Sequence, residues 1–187
     1  MAEILLFHHA QGLTPGVVAF ADTLRAAGHR VHTPDLYAGK TFARLDDGVA
    51  HAEELGSENV LNRGVAVAGQ LPDDIVYAGF SLGVMPAQKL AITRPGAKGA
   101  LLFQGVVPLA YLGGAWPEGV PLQIHTNDAE GFGDVAEARE LVKAVPGAEL
   151  FVYEAQGHLF ADSSLAAYDQ KDADLLIARV LSFLEKV

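Results

Sequence analysis

The chain contains no cysteine among its 187 residues. This absence excludes disulfide bonds, thiolate catalysis and metal sites built on cysteine. Positive charge is also scarce, because 13 Lys and Arg residues stand against 23 Asp and Glu residues and give a formal net charge of −10. An acidic surface of this kind argues against nucleic acid or an anionic membrane as a partner.

Long apolar runs are missing as well, and no segment has the length needed to span a bilayer. The first residues lack a basic leader and have the pattern of a strand rather than of a signal peptide, so we expect a cytoplasmic protein. Hydrophobic residues, by contrast, make up 50% of the chain, and glycine is abundant. This length and composition are typical of one packed α/β domain covering residues 1–187.

Segments with strand-like and helix-like patterns alternate along the chain. Strands are predicted over residues 4–8, 29–33, 75–78, 100–104, 122–125 and 149–153, and helices over 17–27, 45–55, 60–71, 82–93, 135–145 and 172–186. About six strands separated by helices predict a mostly parallel central sheet with helices on both faces. The irregular stretch 105–119 follows a strand, so it should lie over the carboxyl edge of the sheet, where open α/β folds bind ligands.

The most informative motif is Gly79-Phe80-Ser81-Leu82-Gly83, which follows an apolar strand and precedes a helix-compatible segment. This pattern indicates a nucleophile elbow, in which a serine lies on a strained turn at the carboxyl end of a strand. Glycines are needed beside the serine because strand and helix pass too close together for a β-carbon. The backbone N–H of Leu82 would then donate to an oxyanion. The alternative is a serine that caps a helix in an ordinary β–α turn.

A nucleophilic serine needs a general base and an acid that orients the base. His158 follows the last predicted strand on a tight loop, where we expect an exposed base. The loop after the preceding strand offers two acids, Asp128 and Glu130. Because the carboxyl ends of parallel strands meet at one edge of a sheet, we expect Ser81, His158 and one of these acids to lie together.

The loop after the first strand has the position of the second oxyanion donor, which would be the backbone N–H of Ala10 or Gln11. His9, at the same edge, could contact the substrate or prime the serine. Further substrate contacts are expected from the stretch 105–119 and from the segment after the base; the candidates are Tyr111, Trp116 and Phe160. The histidines and acids show no convincing metal-ligand spacing, so we expect neither a metal nor another cofactor.

Together these residues resemble the dienelactone hydrolase family of the α/β-hydrolase superfamily over nearly the whole chain. The likeness is carried by the segments 8–12, 34–37, 79–83, 125–131 and 157–162. It implies a compact α/β-hydrolase fold that hydrolyses a carboxylic ester or lactone with a nucleophile, an acid and a histidine. In this chain Ser81 stands where the family has its cysteine nucleophile, and Val84 replaces the last glycine of the elbow. The family's spacing of its acid falls on Glu130, with Asp128 as the second choice.

The sequence thus favours a serine hydrolase of small carboxylic esters or lactones, acting on a small molecule as a monomer or small homo-oligomer, without nucleic acid or membrane as a partner. A second interpretation is a protein of the same fold that binds a small ligand or a partner without catalysis. The serine in place of cysteine and the lack of a match to the family's substrate-binding arginines motivate it. A flavodoxin-like nucleotide binder is a third interpretation, although no Gly-rich phosphate loop opens the first helix.

Overall fold

The computed structural model of the chain describes residues 1–128 and 134–187. In this part of the chain the strands are β1 (Glu3–Phe7), β2 (Arg30–His32), β3 (Val76–Phe80), β4 (Gly99–Phe103), β5 (Leu122–Asn127) and β6 (Glu149–Tyr153). They form one six-stranded sheet in the order β2-β1-β3-β4-β5-β6. Every neighbouring pair is parallel, which confirms the predicted α/β architecture.

The helices connect these strands, as parallel pairing requires. Those of the described residues are α1 (Pro15–Ala26), α2 (Leu45–Leu55), α3 (Ser57–Ala68), α4 (Val84–Thr93), α5 (Leu109–Leu112), α6 (Asp134–Ala144) and α7 (Gln170–Leu184). Helix α1 starts with Pro15, whose fixed φ suits a first helical turn, and Thr14 caps it by accepting a hydrogen bond from the N–H of Val17 at 3.3 Å. The short helix α5 lies in the stretch 105–119, where the sequence pattern predicts no helix.

Two apolar layers cover the two faces of the sheet. Strand β1 contributes Ile4 and Leu6 to one layer and Leu5 and Phe7 to the other, because successive side chains of a strand point to opposite faces. The first layer contains the buried residues of α1 and α7, and the second contains those of α2, α3, α4 and α6. The sheet is therefore shielded from water on both sides, as all-parallel sheets require.

The parallel register brings the carboxyl ends of the strands to one edge. Phe7 pairs with Gly79, Phe80 pairs with Phe103, and Asn127 pairs with Tyr153. The loops that follow β1, β3, β4, β5 and β6 consequently leave the sheet side by side, and the candidate site lies among them. Over the described residues, no helix combines the length and apolar character needed to cross a membrane.

Candidate active site

Ser81 lies on a strained turn between β3 and α4. Residues Ser81–Gly83 form a single 3-10 turn, and Ser81 has a φ of 46°. A non-glycine residue held in this left-handed region costs about 1–3 kcal/mol, and such strain is found where the surrounding structure imposes it, often at functional sites. The motif read from the sequence therefore has the local geometry of a nucleophile elbow.

The glycines around Ser81 are required by close backbone approaches. A β-carbon at Gly79 would lie 2.1 Å from the carbonyl oxygen of Gly83. A β-carbon at Gly83 would lie 2.7 Å from the carbonyl oxygen of His8, directly after the neighbouring strand β1. Gly105, after β4, passes so close that its β-carbon would stand 3.3 Å from Cα of Ser81. Strand and turn thus meet with no room for side chains at Gly79 and Gly83, and the adjacent loop leaves little room at Gly105.

His158 is brought to Ser81 by the loop that follows β6. Its Nε2 lies 3.0 Å from the Oγ of Ser81, within hydrogen-bond distance. The ring is only 7% exposed, so the base is more buried than the tight loop led us to expect. Burial, with a smaller contribution from the nearby ring of His9, lowers the pKa of His158 to about 4. At neutral pH the ring is therefore uncharged and able to accept a proton from the serine.

Asn127, which sequence reasoning did not single out, supports the base loop (residues 154–162). Its Nδ2 donates hydrogen bonds to the carbonyl oxygens of Ala155 at 2.7 Å and Gly157 at 2.9 Å. The N–H of Ala155 in turn donates to Oδ2 of Asp172 on α7 at 2.8 Å. The loop that carries His158 is thus held from both β5 and α7. The sequence signal was an amide at the carboxyl end of a strand, which by itself does not identify its partners.

Of the two candidate triad acids, the structure describes only Asp128. Asp128 directly follows β5 and is exposed to solvent. Glu130 lies outside the described residues. The choice between them stays a prediction, and it rests on the spacing noted in the sequence.

The oxyanion loop (residues 9–12) is a tight turn after β1. The N–H of Gly12 donates to the carbonyl oxygen of His9 at 3.0 Å, and the N–H of Gln11 donates to Nδ1 of the His9 ring at 3.2 Å. The side-chain amide of Gln11 donates to the carbonyl oxygens of Phe42 at 3.0 Å and Ala43 at 3.2 Å. The donors of Gln11 are therefore engaged inside the protein, which favours Ala10 over Gln11 as the second oxyanion donor.

His9 is fully buried and is held by a carboxylate far away in the sequence. Its Nε2 lies 2.8 Å from Oδ2 of Asp162. Asp162 was missed as a site residue: its only sequence signal was its place in segment 157–162 of the family likeness, and its partner lies 153 positions away. The fold thus joins the loop after β1 to the loop that carries His158 through a buried histidine–carboxylate pair.

Two of the other substrate-contact candidates, Phe160 and Trp116, are engaged elsewhere in the protein. Phe160 is fully buried in the first apolar layer, with its ring centre 5.0 Å from that of Tyr153, so it is a core residue. The indole N–H of Trp116 donates to the carbonyl oxygen of Val120 at 2.7 Å. Tyr111, on α5, is 83% exposed. We therefore leave Phe160 and Trp116 out of the site, and the substrate contact of Tyr111 stays a prediction.

Trp116 is kept away from Ser81 because it lies at the opposite edge of the sheet. It lines a groove of about 590 Å³ together with the residues that immediately precede β5 and β6. These residues lie at the amino ends of the strands, whereas Ser81 lies at a carboxyl end. The stretch 105–119 starts beside Ser81 and then runs back along α4 to the opposite edge, where a β-carbon on Gly114 would lie 2.9 Å from Ile92. Only its beginning lies at the candidate site.

Residues 1–128 and 134–187 contain no group of three or more His, Cys, Asp or Glu side chains arranged to hold a metal ion. What the described residues do provide is a serine on a strained elbow, an uncharged histidine in hydrogen-bond contact with it and helix N-terminal amides beside it. This combination suits nucleophilic attack and the stabilisation of an oxyanion.

The parallel sheet with its elbow after β3 places the chain in the α/β-hydrolase class, and solved structures agree. The alpha/beta hydrolase domain-containing protein 10 from mouse superposes with a TM-score of 0.74 at 11% identity, over 98% of this chain and 90% of that chain. A dienelactone hydrolase from Anabaena variabilis gives a TM-score of 0.68 at 16% identity, over 97% and 84%. A dienelactone hydrolase-like promiscuous phosphotriesterase from metagenomic libraries gives 0.68 at 15% identity, over 100% and 86%. These likenesses concern the fold.

A search of curated proteins found no match. The sequence profile of the dienelactone hydrolase family, however, matches residues 2–187. The chain therefore belongs to the dienelactone hydrolase family, as the sequence resemblance led us to expect, and is a member of a family of hydrolases.

Proposed function

We propose that the protein is a serine-dependent hydrolase of small carboxylic esters or lactones. The observation that carries the proposal is the 3.0 Å contact between Oγ of Ser81 and Nε2 of His158 at a strained elbow. A serine hydroxyl is a weak nucleophile unless a neighbouring base takes its proton. An uncharged histidine at hydrogen-bond distance is such a base, and the left-handed φ of Ser81 holds the hydroxyl in place for it.

The proposed reaction has two halves. In the first, Oγ of Ser81 attacks the carbonyl carbon of the substrate while Nε2 of His158 takes the hydroxyl proton. The tetrahedral intermediate then collapses, the C–O bond to the alcohol breaks, and His158 returns the proton to the departing alkoxide. In the second half water attacks the acyl-serine, His158 takes a proton from that water and returns it to Oγ, and the carboxylic acid is released. For a lactone, the alcohol and the acid belong to one product.

Backbone amides would stabilise the negative oxygen of the intermediate. We assign one donor to Leu82, which follows Ser81 at the start of the turn into α4. We assign the other to Ala10, because the N–H of Gln11 already donates to the His9 ring. Loss of one such donor costs about 10²–10³ in kcat in well-studied hydrolases. The acid that orients His158 is assigned to Glu130, with Asp128 as the alternative.

The substrate class comes from the family and its neighbours. The solved dienelactone hydrolase is named for a lactone, and the metagenomic neighbour is named for a phosphotriester. Both substrates have an electrophilic centre that a nucleophile attacks. A serine oxygen depends more on its base than a thiolate does, so we expect this chain to prefer activated small esters and lactones over substrates with poor leaving groups.

Intact-mass analysis after treatment with a fluorophosphonate tests the proposal on the wild type, Ser81→Ala and Ser182→Ala. Ser182 is an exposed serine on α7, so its variant is a matched control. One adduct on the wild type and the control, absent from Ser81→Ala, would show an activated Ser81. A panel of p-nitrophenyl esters and small lactones should then show turnover that Ser81→Ala abolishes. Absence of both adduct and turnover would leave a ligand-binding protein of hydrolase fold as the function.

A further inference from the structure

We propose that His9 and Asp162 form a positioning pair that holds the oxyanion loop in register with the base loop. The inference rests on the proposed function, because it concerns how the same site is kept in its reactive geometry. Each residue belongs to one of the two loops: His9 opens the oxyanion loop, and Asp162 closes the base loop four residues after His158. Their contact therefore links the two sides of Ser81.

Asp162 is held as an anion inside the protein. It is 2% exposed, and its carboxylate accepts hydrogen bonds from Nε2–H of His9 at 2.8 Å, from the N–H of Ser164 at 2.8 Å and from the hydroxyls of Ser164 and Thr14. Burial alone would raise the pKa of Asp162, but these hydrogen bonds outweigh it and hold the pKa below its ordinary value. The charge is thus satisfied by directed donors from the N-cap of α1, the oxyanion loop and its own loop.

The first turn of α1 is shaped to admit this carboxylate. A β-carbon on Gly16 would lie 1.7 Å from Oδ1 of Asp162, so any side chain at Gly16 would displace it. The helix N-terminus carries partial positive charge, which favours an anion at this place. Thr14 serves the same arrangement twice, since it caps the helix and also donates to Asp162. The position of Asp162 is therefore determined by α1 as well as by its own loop.

The ring of His9 has both nitrogens engaged. Because Asp162 is an acceptor, Nε2 carries the proton, which leaves Nδ1 as an acceptor for the N–H of Gln11 at 3.2 Å. With its second nitrogen occupied by a backbone donor, His9 has no free lone pair with which to take a proton from Ser81. It acts instead on the turn that contains Ala10, as a positioning residue.

The pair also lies close to the base. On the other side of Asp162, its N–H donates to the carbonyl oxygen of Leu159 at 3.1 Å and closes the turn that begins beside His158. The oxyanion donor and the base are thus set by one buried hydrogen bond between His9 and Asp162. Misplacement of a catalytic group by about 1 Å can cost about 100-fold in rate.

Variants that break the pair test the proposal. His9→Asn keeps an acceptor near Nδ1 but loses the donor to Asp162, and Asp162→Asn removes the charge that fixes the tautomer. We expect each to lower kcat per active site about 10–100-fold with a KM within about threefold of wild type. Active sites are counted by the end point of fluorophosphonate labelling, so a loss of folded protein does not register as a loss of kcat. The double variant should cost no more than the worse single variant, because both break one contact.

His125→Asn is the matched control. His125 is also fully buried, with ring nitrogens bonded to the Tyr153 hydroxyl at 2.7 Å and to Gln123 at 2.8 Å, but it belongs to the interior of β5. Its variant should lower the melting temperature while kcat per active site stays within about twofold of wild type. If the buried variants do not fold, Ser164→Ala removes one donor to Asp162 from an exposed residue and should lower kcat per active site several-fold. Unchanged kcat per active site in His9→Asn and Asp162→Asn, or in Ser164→Ala if those do not fold, would overturn the proposal.

A second readout does not depend on activity. Hydrogen exchange of the Gln11 amide, followed by NMR, should be about tenfold or more faster in Asp162→Asn than in wild type, with the amides of β3 unchanged. Equal exchange at Gln11 in the two proteins would overturn the pairing. A wild type that reacts with no fluorophosphonate would count against the proposed hydrolase, while the exchange measurement would still decide whether Asp162 holds the oxyanion loop.

Discussion

Oγ of Ser81 lies 3.0 Å from Nε2 of His158, although 77 positions separate the two residues in the chain. The contact exists because β3 and β6 end at the same edge of one parallel sheet. Both partners are fixed from outside the contact: the serine by the elbow glycines, and the histidine by Asn127 and Asp172 through its loop. From this arrangement we predict how activity and stability depend on pH and how stability responds to changes in packing.

The pH dependence of the reaction should follow His158. Its pKa is lowered to about 4, mainly by burial, and only the uncharged ring can accept the serine proton. For a neutral ester, kcat/KM should therefore rise as the pH increases through about 4 and be level from about pH 5.5 to pH 8. The measurement is a pH–rate profile with enzyme diluted from pH 7 immediately before each assay, with residual activity at pH 7 checked afterwards. An acid limb centred near 6.5 would contradict the depressed pKa.

The elbow should not tolerate a methyl group at Gly79. Its β-carbon would lie 2.1 Å from a backbone oxygen, so strand and helix would have to separate, and we expect Gly79→Ala to cost more than about 3 kcal/mol or to prevent folding. Gly28→Ala is the control for crowding, because Gly28 has nothing within 4 Å of its β-carbon, although its positive φ of 92° adds a backbone strain that Gly79 does not have. Its cost should be about 1–2 kcal/mol, from backbone strain alone. Urea unfolding of both variants makes the comparison, and equal costs would show that the close approach is not the limiting factor.

Two buried glutamines should respond to the same substitution with opposite signs. Gln88 is satisfied, since its amide donates to the carbonyl oxygen of Val107 at 3.0 Å and accepts from the N–H of Val107 at 2.6 Å. Within the described part of the chain, neither amide atom of Gln104 has a hydrogen-bond partner, although the side chain is fully buried. Gln88→Met should therefore lower the free energy of unfolding by about 1–3 kcal/mol, and Gln104→Met should raise it by about 1 kcal/mol.

Thermal and urea unfolding of these two variants provide the measurement. A Gln104→Met protein that is less stable than wild type would show that the amide is satisfied in solution. Gln104 follows β4, beside Ser81, and has a φ of 47°. A stabilised Gln104→Met variant with reduced kcat would indicate that the amide serves the substrate rather than the fold.

The free energy of unfolding should fall as the pH drops below the ordinary pKa of histidine, about 6.5. Burial lowers the pKa of His8 to about 4 and that of His125 to about 3, and His158 behaves in the same way. Above about pH 6.5 these rings are uncharged in both the folded and the unfolded chain, so they do not make the free energy of unfolding depend on pH. Between about pH 6.5 and pH 4 these histidines are protonated in the unfolded chain but not in the folded chain. As the pH falls through this range, the free energy of unfolding therefore decreases by up to about 1.4 kcal/mol per pH unit for each ring.

Urea unfolding at pH 7, 6 and 5 measures this slope. His125→Gln removes one of the three rings, so its free energy of unfolding should depend on pH less steeply than that of wild type, whatever its stability at pH 7. A wild-type slope near zero between pH 6 and pH 5 would contradict neutral burial of these histidines.

The sequence alone was enough to predict the strands, the helices of the described residues other than α5, and the elbow turn that carries Ser81. Helix α2 and strand β6 have the predicted bounds, and the elbow serine was located from five consecutive residues. These features are local: hydrophobic periodicity reports which face of an element is buried, and a turn that needs glycines shows them in the sequence. The parallel pairing also followed, since strands separated by helices have few other ways to cover both faces of a sheet.

The tertiary structure alone decided which distant residues meet. It placed Trp116 at the edge opposite to Ser81, buried Phe160 in the core, assigned Asn127 to the base loop and joined His9 to Asp162. The physical reason is that these contacts depend on the strand order β2-β1-β3-β4-β5-β6 and on the path of each loop across the sheet. The local sequence shows which chemical groups are present. Which residue each group contacts is decided by packing between elements that lie far apart in the chain.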